Sequence, residues 1–60
     1  MGINAKALRA FKDLVEMADT LKYSVERLEK MGNQKELLGY ARRELALTNR
    51  AIKEVIRMFE

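Results

Sequence analysis

The sequence predicts an all-α protein, an antiparallel hairpin of two long helices with its turn at Gly32–Asn33. Three observations lead there. Apolar residues recur at alternating intervals of four and three along both halves of the chain, the spacing of a helix seam. Proline is absent, so neither half is interrupted by the strongest helix breaker. A glycine falls between the two patterns, followed by residues suited to starting a second helix.

The first pattern is Ala7, Phe11, Leu14, Ala18, Leu21, Val25 and Leu28. It predicts one helix from about Ala5 to about Met31, roughly 40 Å long at the helical rise. Asn4 is placed to cap its start, because a short polar side chain can accept from an unpaired first-turn N–H. Ile3, Ala10, Met17 and Met31 widen the apolar face, while Arg9, Lys12, Glu16, Asp19, Arg27 and Lys30 fall mostly on the other side. The rhythm passes through Asp19–Thr20 without a change of phase, so no break is expected there.

At the corner, Gly32 suits the left-handed position that ends a helix. Asn33 suits the N-cap of the next one, and Glu36, three residues on, completes a capping box. The second pattern is Leu38, Ala41, Leu45, Thr48, Ile52, Val55 and Phe59, a helix from about Gln34 to about Phe59. Folding at the corner sets Leu28 against Leu37 and Leu38, and Leu21 against Leu45. Further out it sets Met17 and Ala18 against Thr48, Phe11 and Leu14 against Ile52 and Val55, and Ala7 against Phe59. Thr48 is tolerable in the seam because its hydroxyl can bond the carbonyl one turn back.

Sixty residues form a single hairpin domain and a marginal one, since so short a chain buries a small share of its surface. Small chains compensate with disulfides, metals or self-association. This one has no cysteine and no histidine, so disulfides and ordinary zinc, haem or iron–sulfur sites are excluded, and no metal or cofactor is expected. Self-association is the remaining remedy.

Each helix has apolar residues beyond its seam. Leu37, Tyr40, Leu47, Ala51 and Met58 form a second row on helix 2, and Leu8, Val15 and Met17 are a surplus on helix 1. An exposed row of this kind marks an interface, unless long Lys and Arg stems cover it. The row is the candidate partner-binding site, for a second copy in a four-helix bundle or for another helical protein. The second candidate is a basic strip on helix 2, Lys35, Arg42, Arg43, Arg50, Lys53 and Arg57, which could track a nucleic-acid backbone. Its rival reading is an ordinary solvated face, consistent with a net charge of only +3. Gly39 lies inside helix 2, as a tolerated surface glycine or a point of close approach beside Tyr40.

Catalytic chemistry is poorly supplied. There is no histidine for acid–base work and no cysteine nucleophile, and Ser24 stands in no nucleophile motif. Pairs such as Glu26–Glu29 lack the histidine of a di-iron bundle and read as partners for nearby lysines. No enzyme, no catalytic residue and no small-molecule substrate are expected. No apolar run approaches a membrane span or a signal peptide, and a cytoplasmic protein with no membrane partner is expected. The expected architecture resembles, without a shared motif, helical hairpins that serve as RNA-binding regulators of plasmid copy number, kinase inhibitors and secretion co-chaperones.

Overall fold

The computed structural model describes residues 4–59. Two helices account for nearly all of them, α1 (Ala5–Met31) and α2 (Lys35–Phe59), and they pack against each other as an antiparallel hairpin. The molecule is a rod, 51 × 14 × 12 Å along its principal axes.

α1 is unbroken through Asp19–Thr20. Its start is capped as the sequence requires: Asn4 is extended, and its side-chain oxygen accepts from the Lys6 N–H at 2.8 Å. Ile3 of the expected flanking row lies outside the described residues. At the other end Gly32 has φ 73°, and its N–H donates to the Leu28 carbonyl at 3.2 Å. That is the left-handed cap, where a Cβ would be strained and glycine is not.

The start of α2 differs from expectation by one residue. The Leu38 N–H donates to the Gln34 carbonyl at 2.9 Å, so Gln34 holds the cap position expected for Asn33. Glu36 is then two residues past the cap, and the Asn33–Glu36 capping box is not formed. After the left-handed Gly32, the chain uses Asn33 to complete the reversal. Glu36 still supplies a carboxylate to the first turn, where the helix dipole favours it.

The seam is the predicted one. Ala18, Ala41 and Thr48 are buried, and Phe11, Leu14, Leu21, Val25, Leu28, Leu38, Leu45, Ile52 and Val55 are half-buried beside them. Small residues at the most buried points let the backbones approach while longer side chains interlock to either side. The Thr48 hydroxyl donates to the Glu44 carbonyl at 2.8 Å and lies 3.7 Å from the Met17 sulfur. Its one proton goes to the carbonyl, so the sulfur contact is packing. At the open end Phe59 reaches Phe11, one turn further in than Ala7. The rings meet edge-to-face, with centroids 6.3 Å apart at 73°. An aromatic pair of this geometry is worth about 0.5–1.5 kcal/mol beyond burial, and Ala7 beside it is half-buried.

The seam does not amount to a closed core. No large side chain among the described residues is fully buried. The chain exposes 5301 Å², whereas a compact globule of this mass would expose about 4,000 Å².

Candidate interaction surface

One seam divides the hairpin into two flanks, and they differ in chemistry. Successive helical residues are about 100° apart, so Leu8 and Met17 lie on opposite sides of the α1 seam, as do Ile56 and Tyr40 on α2. The surplus of α1 is therefore split by the fold: Met17 belongs to one flank, Leu8 and Val15 to the other.

The first flank carries most of the surplus apolar residues, with Glu44 and Glu54 of α2 set among them. Met17 touches Thr48 from this side, and Met31, Leu37 and Tyr40 line a shallow groove with Leu21, Ser24, Leu28 and Ala41 beside the turn. Tyr40, Leu47, Ala51 and Met58 project within about 40° of one another along α2. Leu37 is 51% exposed, Tyr40 62%, Leu47 51% and Met58 79%. Ala51 is half-buried, its small side chain set nearer the seam. The row falls on one flank, and the groove at its turn end, which includes Leu37 and Tyr40, has Arg27 at its edge and no other Lys or Arg in its lining. Arg27 stands 5.7 Å from the centre of the Tyr23 ring, an intramolecular cation–π contact that gives Tyr23 a local role on α1.

The second flank is bridged by charge. Arg42 Nη2 lies 2.6 Å from Glu29 Oε2, the only ion pair among the described residues. Leu8 and Val15 form an apolar patch near the open end, with Phe11 and the stem of Lys12, and Ile56 is on the same side of α2 as Arg42. The Glu29–Arg42 pair joins residues 13 apart across the turn, and periodicity does not signal it, because it depends on which flank of each helix faces its neighbour.

The basic strip occupies the back of α2. Lys35, Arg42, Arg43, Arg50, Lys53 and Arg57 lie within an arc of about 100°, over roughly 33 Å of helix, and all six are exposed. No acid of α2 falls inside that arc. Arg42, at its edge, is turned toward Glu29, which leaves five cations without an ion-pair partner among the described residues. A Cβ added to Gly39 would meet nothing within 4 Å, so the hairpin itself gives no reason for glycine there.

Among the described residues no helix is long and apolar enough to cross a membrane. No family model matches the chain, and no match was found among curated proteins or solved structures.

Proposed function

We propose that the chain is a non-enzymatic interaction module that acts by self-association, a small regulator or adaptor whose apolar flank is covered by a second helical hairpin to complete a four-helix bundle. The observation that carries this reading is the open row Tyr40, Leu47, Ala51, Met58, continued by Leu37 and Met31 at the turn, on a hairpin with no fully buried large side chain. Apolar burial is the driving force available to such a surface, with arginine at the rim. The area supports it: two separate hairpins expose about 10,600 Å² together, and a compact globule of twice the mass about 6,700 Å². The difference falls in the range of obligate homodimer interfaces, roughly 2,000–5,000 Å².

The test is solution mass by light scattering across a concentration series. The wild-type chain gives a dimer, and Leu47→Glu with Met58→Glu gives a helical monomer, since carboxylates in the row would be buried unpaired. A double variant that assembles like the wild type overturns the reading.

A second reading is favoured by one observation, the acid-free strip on the back of α2. Five cations with no ion-pair partner among the described residues suit the phosphates of a nucleic-acid duplex, and the strip has no aromatic residue on which single-stranded bases would stack. A fluorescent duplex titrated at several salt concentrations gives a log–log slope of about −4 to −5, at roughly −0.9 per neutralised phosphate. Arg50→Ala reduces the slope by about 1, and Arg42→Ala by less because Glu29 already holds it. Binding that is absent at low salt or indifferent to salt refutes this reading.

A further inference from the structure

The hairpin does not need Gly39, and the basic strip gives it a setting. Gly39 and Ala46 are both exposed on the back of α2, two turns apart. Gly39 is one turn from Lys35 on one side and Arg43 on the other, and Ala46 stands in the same relation to Arg42 and Arg50. The strip is therefore two rows of cations, each about 40° from a middle line of small residues. Lys53 and Arg57 continue the middle line and the second row toward the end of α2. Glu36 and Glu54 lie beyond the second row, about 60–80° from the middle line, and Glu44 is further round still.

Gly39 has an ordinary helical backbone, since among the described residues only Gly32 has a positive φ. Any residue but proline could adopt that conformation and would favour the helix more. Glycine and alanine at these points give instead a low surface between two raised, charged edges. A flat anionic surface makes no use of the low line or of a second row. A cleft with phosphates on both walls uses both. The major groove of B-form DNA is such a cleft, about 12 Å wide and 8.5 Å deep, and it admits an α-helix. The major groove of A-form RNA is deep and too narrow for side chains to read.

We infer that α2 seats its back in the major groove of B-form DNA, with Gly39 and Ala46 toward the groove floor, Lys35 and Arg42 reaching one phosphate wall and Arg43 and Arg50 the other. This rests on the nucleic-acid reading above and narrows its ligand to duplex DNA. The rest of the molecule leaves the approach open. α1 packs on the seam, about 140° round α2 from the middle line, and the apolar row is about 110° from that line, so a dimer formed through the row keeps the back of α2 exposed. Arg42 leaves Glu29 to reach a phosphate, and a pair that is about half exposed costs little to break. The groove winds away from a straight helix, and Lys53, about 10 Å beyond Ala46, lies where the floor has receded.

The test titrates a fluorescent DNA duplex of about 20 base pairs, roughly twice the length of the strip, and the RNA duplex of the same sequence, both at low salt. DNA is expected to bind at least about tenfold more tightly than RNA. Gly39→Leu with Ala46→Leu fills the low line and changes no charge. Leucine is a good helix former and a Cβ at Gly39 meets nothing, so circular dichroism shows helicity kept while DNA affinity falls at least about tenfold. Equal affinity for the two duplexes, or tighter binding to RNA, overturns groove insertion and leaves the strip as a general phosphate-binding surface. A DNA preference that the double variant keeps in full also overturns it, since the helix is then not seated through Gly39 and Ala46. A wild-type chain that binds neither duplex overturns the nucleic-acid reading and this inference with it. If the double variant loses helicity, Gly39→Leu alone takes its place with the same expectation.

Discussion

The two flanks of the hairpin are made from the same two helices, meet at the same seam, and behave differently. One carries Met17, Met31, Leu37, Tyr40, Leu47 and Met58, with an apolar side chain on every second turn or closer. The other carries the Glu29–Arg42 pair near the turn and apolar residues only toward the open end, at Leu8, Val15 and Ile56. Water can solvate the second flank without much loss, because a half-exposed ion pair and a short patch both tolerate it. The first flank exposes a longer row, interrupted by Glu44 and Glu54, which the two described helices leave uncovered. A hairpin's surplus hydrophobicity has to be located by flank before it can be read as an interface. Counted by helix alone, Leu8, Val15 and Met17 look like one surplus, and they are two.

Substitutions on the two flanks are expected to differ in effect. The largest effect is expected from Leu47→Glu with Met58→Glu on the apolar flank: dimer dissociation rises at least a thousandfold by sedimentation equilibrium, about 4 kcal/mol or more. The matched pair on the other flank, Leu8→Glu with Ile56→Glu, changes the dissociation constant by less than tenfold. Equal effects from the two pairs would mean that both flanks are covered and that the assembly is larger than a dimer. The smallest effect belongs to Glu29→Gln. Both partners of that ion pair are about half exposed, so the loss is under about 1 kcal/mol by urea unfolding and fades as salt is raised. A larger loss that persists in high salt would place the ion-pair flank inside an interface.

Much of the fold was legible because a helix writes its periodicity into the chain. The seam residues, the cap at Asn4, the left-handed glycine at the corner and the back-bonded Thr48 each follow from a local rule about spacing or an unpaired backbone group. The start of α2 was misplaced by one residue, because both Asn33 and Gln34 can occupy a helix entry and only the path of the reversal chooses between them. Phe59 also meets Phe11, one turn in from Ala7, an edge-to-face ring contact to which a pairing register deduced from the turn does not refer. The row on α2 could be read from its own spacing. The commitment of Arg42 to Glu29 could not, because it depends on the rotation of α1 against α2, to which neither helix's periodicity refers.

By itself, then, the sequence determined two helices, their seam and the place of the corner, because hydrogen bonding within a helix and the burial of one stripe are decided over a few turns. It also determined the chemistry of the back of α2, an acid-free arc of cations, since residues three, four and seven apart must share a face. Tertiary structure decided which side of each helix joins which side of the other. That rotation put Met17 with Tyr40 and Leu47, set Glu29 beside Arg42 and left Leu8 with Ile56. The reason is physical: a stripe wide enough to pack can be buried at more than one rotation, and side-chain fit across the seam, Ala18, Ala41 and Thr48 at its tightest points, selects the one that closes.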